Sequence, residues 1–220
     1  MIALAATLPV PCRILPADLS TDEGIAAIAA AIRRTPDLEL LVNNAGFGSK
    51  RRLWEADFAT QDAMHAVHVK ATLHLTRAAL EGMVARKRGG IINVSSVAGF
   101  AQTQGGVSYC ATKAWMNSFT EGVAMELRGV DSPVRVQALC PGYTHTGFHD
   151  ALGVDKSNIP GWMWMDAEFV VGESLRALAA PSHRVYVIPG WKYKLAVAFL
   201  RHIPVGWRMR LGRPGKDQRT

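Results

Sequence analysis

The chain has 220 residues, 49% of them apolar and 20% charged, with a mean hydropathy of +0.07; these are the proportions of one ordinary globular domain and exclude disorder, collagen and coiled coil. No apolar run approaches the roughly 18 to 20 residues of a spanning helix, and Cys12, Cys110 and Cys140, without CxxC spacing or a secretory leader, point to a reducing cytoplasm rather than a disulfide framework. The net charge of +7 sits in residues 191–220, which carry eight basic residues and one acid, while residues 1–190 balance at 17 of each sign.

In chain order, Pro11 to Leu19 is a short apolar run that reads as a strand, closed by Asp18. Ser20 to Arg34 follows with Ile25, Ile28 and Ile32 at helical spacing. Leu38 to Val42 is almost purely aliphatic and ends in the turn Asn43-Asn44-Ala45-Gly46, as expected of a strand buried on both faces. From Thr60 to Arg86 the apolar positions Met64, Val67, Ala71, Leu75, Ala78 and Met83 trace one long helix, stopped by Gly89 and Gly90. Ile91 to Val94 is a strand, Ser108 to Leu127 a helix, and Val134 to Leu139 a third aliphatic strand ended by Pro141-Gly142. A helix near Ala167 to Leu178 and a strand near Arg184 to Ile188 complete a single domain, residues 1–190, ahead of a basic tail, residues 191–220.

Aliphatic strands separated by amphipathic helices need right-handed crossovers, so the expected class is α/β, a doubly wound parallel sheet. Ligands of such sheets bind beyond the carboxyl ends of the strands. Asp18, Asn43 to Gly46, Ser95-Ser96 and Pro141 to Thr146 all fall there. Nucleic acid is not an expected partner, because the basic residues accompany no helix-turn-helix, zinc or RNA-binding signature. In the tail, Trp191, Tyr193, Phe199 and Trp207 interleave with Lys192, Lys194, Arg201, Arg208 and Arg210. That pattern is read as a solvated extension, a packing arm against another subunit, or a contact with anionic lipid.

Tyr109 and Lys113 stand one helical turn apart and share a face. Alone, such a pair arises by chance in about one chain in seven of this composition. Ser96 adds a hydroxyl at a strand end, thirteen residues before Tyr109. A nearby ammonium would favour the phenolate and bring the phenol into use as acid or base, while the serine would stabilise charge on a substrate oxygen. Taken in order, Asn43-Asn44-Ala45-Gly46, Asn93-Val94-Ser95-Ser96, Tyr109-Cys110-Ala111-Thr112-Lys113 and Pro141-Gly142 with Thr146 resemble the short-chain dehydrogenase/reductase family over Pro11 to Gly190. The resemblance implies a Rossmann-like fold and NAD(P)-dependent interconversion of an alcohol with a ketone or aldehyde. Ser96, Tyr109 and Lys113 would be catalytic, with Tyr109 and Lys113 also on the nicotinamide ribose. Asp18 would contact adenine, Asn43, Ala45 and Gly46 would line the dinucleotide groove, and Pro141, Gly142, Thr144 and Thr146 would hold the carboxamide. NADP is preferred over NAD by likeness to bacterial reductases, and a homo-oligomer through the Ser108 to Leu127 helix is implied in the same way.

Two departures from the family pattern matter. The family's fourth catalytic residue, an asparagine in the long helix, falls on His68 here; an imidazole taking over its proton-relay duty would make the site pH-sensitive. The family's TGxxxGxG turn has no counterpart, so strands 1 and 2 of the family are expected to be absent, on the order of 40 residues. The favoured explanation is a misassigned start. The alternative is a non-catalytic partner subunit or membrane-surface protein. The substrate is expected to be a small apolar carbonyl or alcohol, from Phe148, Leu152, Ile159, Trp162, Met163, Trp164 and Met165 in the segment Gly147 to Phe169. No metal is expected, since neither His145 with His149 nor His65 with His68 has a third ligand nearby.

Overall fold

Four aliphatic segments become parallel strands: β1 (Leu40–Asn43), β2 (Gly90–Val94), β3 (Arg135–Leu139) and β4 (Tyr186–Val187). They pair in sequence order, β1-β2-β3-β4. The computed structural model describes residues 5–49, 51–153, 157 and 159–211. The helices are α1 (Asp22–Arg33), α2 (Phe58–His65), α3 (Thr72–Ala85), α4 (Val107–Gly129), α5 (Gly147–Ala151), α6 (Ala167–Ala179), α7 (Trp191–His202) and α8 (Val205–Leu211). Among the described residues no helix is long and apolar enough to cross a membrane.

Strand alternation divides the core into two layers. On one face Ile91 and Val136 meet Ala79 and Met83 of α3 and Val123 and Leu127 of α4. On the other, Ile92, Leu139 and Val187 pack against Val170 of α6. Helices therefore cover both faces, as a doubly wound sheet requires. At the first edge, α1 lies on α3 through Ala29, Leu75 and Ala78. Its start is set by Thr21, whose hydroxyl accepts from the Gly24 N–H at 3.1 Å, with Asp22 and Glu23 in the first turn where acidic residues favour the helix dipole.

Three expected elements differ. Residues 11–18 form no strand: they run as exposed irregular chain, because Pro9, Pro11 and Pro16 withhold backbone donors and no sheet edge pairs with the segment. The long helix expected over Thr60 to Arg86 is interrupted by a π-helical turn, Ala66–Ala71, between α2 and α3. The segment after Gly190 is helical through Leu211, with Val197 and Ile203 buried against the body.

Candidate active site

The carboxyl ends of β1, β2 and β3 share one rim, and α4 begins there. β2 delivers two successive serines. Ser95 is buried and its hydroxyl donates to the Lys113 carbonyl at 3.0 Å. Ser96 Oγ accepts from the Ala98 N–H at 3.1 Å, which starts the 3-10 turn Val97–Phe100. The Ser96 hydroxyl proton is directed at the Pro141 carbonyl, 3.5 Å away, and Ser96 stands close enough to the Tyr109 phenol to pull its pKa down.

Lys113, one turn further along α4, is 5% exposed. Its Nζ donates to the Val94 carbonyl at 2.8 Å and lies 5.7 Å from the centre of the Tyr109 ring. Burial governs both groups. It lowers Lys113 to about 8 and pushes Tyr109 up to about 12, against the pull of Ser96. The expectation that the ammonium makes this phenol ionise readily is corrected: stripping water from a phenolate outweighs a cation already bonded to a carbonyl. At neutral pH Tyr109 is a proton-bearing phenol beside a charged lysine.

His68 lies in the π turn and is fully buried. Its ring edge faces Tyr109, with centroids 5.8 Å apart. Thr112 Oγ1 donates to the Tyr109 carbonyl at 2.9 Å, so it accepts from His68 Nδ1 at 2.8 Å. His68 Nε2 then accepts from the Phe47 N–H at 3.2 Å. Both nitrogens are engaged in one neutral tautomer, and burial, with Lys113 and His65, lowers the imidazole to about 3. The expected pH-sensitive relay is therefore corrected. His68 ties the loop after β1 to the first turn of α4. Gly46 is part of that fit, since a Cβ there would stand 2.7 Å from His68 Nε2.

Asn43 braces the same rim from beneath. Its amide donates to Thr76 Oγ1 at 3.1 Å and Asn93 Oδ1 at 2.8 Å; Asn93 donates to Thr120 at 2.9 Å. Ala45 and Gly46 stay exposed above it. Asp18 lies in the loop before α1, where its carboxylate accepts from the Ser20 N–H and hydroxyl at 2.9 and 2.7 Å; these bonds lower its pKa. After β3, Pro141 and Gly142 are half-buried. Thr144 donates to the Gly142 carbonyl at 3.1 Å, and Thr146 caps α5 by accepting from the Phe148 N–H.

A family described as short chain dehydrogenase matches residues 3–156. The chain belongs to that family. It is 40% identical over 134 residues to 2-(S)-hydroxypropyl-CoM dehydrogenase 3 of Xanthobacter autotrophicus, a match covering 60% of this chain and 52% of that one. The chain thus spans about half the length of that curated relative. A solved short chain dehydrogenase from Burkholderia cenocepacia in complex with NADP is 27% identical with a TM-score of 0.74, over 93% of this chain and 79% of that one. One from Sphingobium yanoikuyae in complex with NADPH, 24% identical with a TM-score of 0.79 over 100% and 82%, shares the fold.

Sequence reading missed contacts that complete this short chain dehydrogenase rim. Tyr193 of α7 accepts from the Tyr143 N–H at 3.0 Å and donates to the Met163 carbonyl at 2.7 Å. Its ring lies so close over Gly142 that a Cβ there would collide with it. The only signal was an aromatic in a basic segment, which spacing could not connect to a turn 50 residues earlier. Phe47, and the role of Thr112 as the other partner of His68, also went unread, because backbone and hydroxyl bonds across elements leave no periodic trace.

Proposed function

We propose that the chain works as an NAD(P)-dependent oxidoreductase interconverting an alcohol with a ketone or aldehyde, with Tyr109 as proton donor and acceptor. The observation that carries this reading is the Tyr109 phenol at the strand-end rim, with the Lys113 Nζ 5.7 Å from the centre of its ring and Ser96 acting on it from the end of β2. The residues present fit the nicotinamide end of the cofactor: a buried ammonium at a strand end, and two strand-end turns with Ala45 and Gly46 exposed. Tyr109 and Lys113 would hold the ribose, Pro141, Gly142, Thr144 and Thr146 the carboxamide, Asn43, Ala45 and Gly46 the groove, and Asp18 the adenine. NADP is preferred, in line with the NADP complex of the Burkholderia cenocepacia relative.

In the reducing direction Tyr109, protonated at neutral pH, gives its proton to the substrate oxygen. Ser96 donates a hydrogen bond to that oxygen as charge develops. Lys113 stabilises the phenolate left behind. When bound, the nicotinamide supplies or takes up the hydride at the substrate carbon. An apolar substrate is supported by the rings grouped beside Tyr109: Phe148 at 5.9 Å, His149 at 5.4 Å from Phe148, and Trp164 at 5.0 Å from His149. The same reading includes a homo-oligomer through α4, whose Val107 and Met125 are exposed, and a reducing cytoplasmic setting, consistent with three unpaired cysteines.

Titration with NADH and NADPH, followed by nicotinamide fluorescence and thermal shift, tests the reading. Saturable binding should raise the melting temperature, and Tyr109→Phe should cut ketone reduction by about 100-fold or more. A folded chain that binds neither dinucleotide would instead be a non-catalytic member of the family.

A further inference from the structure

Helix α7 is apolar on two opposite sides. Its inner stripe, Tyr193, Val197 and Leu200, packs on the body, with Val197 buried and the other two half-buried. Its outer stripe repeats every four residues: Trp191, Leu195 and Phe199, which are 66%, 62% and 66% exposed. In α8, Val205, Trp207 and Met209 are exposed as well. Solvent-facing large apolar side chains gathered so densely in one stretch of chain mark an interaction surface.

The charge around this surface indicates what covers it. Residues 191–211 contain five Lys or Arg, one His and no acid. Lys192 holds its ammonium 4.7 Å over Trp162 and 5.8 Å over Trp191, at the border of the apolar face. Arg201 lies over Phe100 and Tyr186, and Lys194 pairs with Glu173 at 3.8 Å. Large exposed aromatics with the Lys192 ammonium among them, in a segment rich in cations and without acids, suit the boundary between acyl chains and anionic headgroups, where the rings enter the apolar layer and cations meet phosphate.

We propose that the outer face of α7 with α8 docks the protein on an anionic lipid surface. This goes beyond the proposed activity and does not depend on it. An open apolar groove of about 470 Å³, bordered by Trp162, Met163, Trp191 and Tyr193, lies on the docked side. Tyr193 and Met163 join that groove to the rim, so an apolar substrate held in the bilayer would arrive beside Tyr143.

The test is co-sedimentation of the full chain with vesicles of phosphatidylcholine alone, and of phosphatidylcholine and phosphatidylglycerol in equal parts. The chain should pellet with the anionic vesicles and much less with the neutral ones, with a blue shift of tryptophan emission. Raising salt from about 0.1 M to about 1 M should release part of it, as the screening length falls from about 10 Å to about 3 Å. Phe199→Asp and Trp191→Asp, both exposed positions, should each weaken binding by about tenfold or more while leaving the circular dichroism unchanged. The proposal is overturned if the chain stays in the supernatant with anionic vesicles, or if binding survives both substitutions. It is equally overturned if the substitutions instead turn a dimer into a monomer in vesicle-free sedimentation, for then a second copy covers this face.

Discussion

At the scale of single residues, the site holds ionisable groups in states they adopt only because water is excluded. A buried Lys113 that keeps its charge at pH 7, with a pKa lowered from 10.5 to about 8, costs about 3 kcal/mol relative to the unfolded chain. Unfolded Lys113 binds more protons than folded between pH 8 and 10.5, so this cost fades as pH rises through that window. Lys113→Met is expected to abolish turnover while leaving the melting temperature at pH 7 unchanged or higher, with the Val94 carbonyl losing its partner in partial offset; paired activity and thermal-unfolding measurements check this. In the wild type, ketone reduction should fall as pH rises past about 8, where Lys113 loses its charge.

His68 gives a slope of the same sign in a lower pH window. Its folded pKa of about 3 lies below the 6.5 of an ordinary imidazole, so below pH 6.5 the unfolded chain takes up a proton that the folded one refuses. Stability should therefore drop on acidification, by up to about 1.4 kcal/mol per pH unit between pH 6.5 and 3. His68→Asn should remove that component, read as a shallower dependence of unfolding free energy on pH between 6.5 and 4.5. A variant as steep as the wild type would mean that His68 is protonated in the folded protein.

At the scale of elements, the rim is assembled by contacts that cross between them. The π turn carries His68 to Phe47 and Thr112, and such a turn inside a helix is a common device at functional sites. Helix α7 reaches back over the β3 turn through Tyr193. Tyr193→Phe deletes an acceptor for the Tyr143 N–H and a donor to the Met163 carbonyl. The expected result is a loss of about 1 to 2 kcal/mol and a raised KM with a smaller change in kcat, because the segments it holds flank the substrate region rather than the proton path. Unfolding curves and steady-state kinetics with an apolar ketone read the two effects separately. The strands and α4 were legible in the sequence because aliphatic runs and helical spacing are local patterns. The strand expected over Pro11 to Leu19 was not a strand, because a strand needs a partner that local pattern cannot supply.

At the scale of the whole molecule, β1 is an edge strand and its Val42 is 47% exposed. An exposed aliphatic edge is a template for pairing with another chain. Val42→Lys should raise the concentration at which the chain begins to aggregate, measured by light scattering, with little change in melting temperature. The charge separation is a property of the same scale: residues 1–190 are balanced, and the excess lies in the segment that forms α7 and α8.

By itself the sequence determined the order of parallel strands and helices, the rim where their carboxyl ends meet, and the set Ser96, Tyr109 and Lys113. The first two follow from periodicity and from residues placed at the ends of local elements, and the set from its likeness to the family's motifs. Only the tertiary structure decided that Tyr109 is held as a phenol, that His68 is neutral and fully bonded, that Tyr193 closes over Gly142, and that α7 keeps a second apolar face outside. Those properties depend on which segments exclude water from one another across tens of residues, and desolvation is a property of the packed molecule rather than of any stretch of chain.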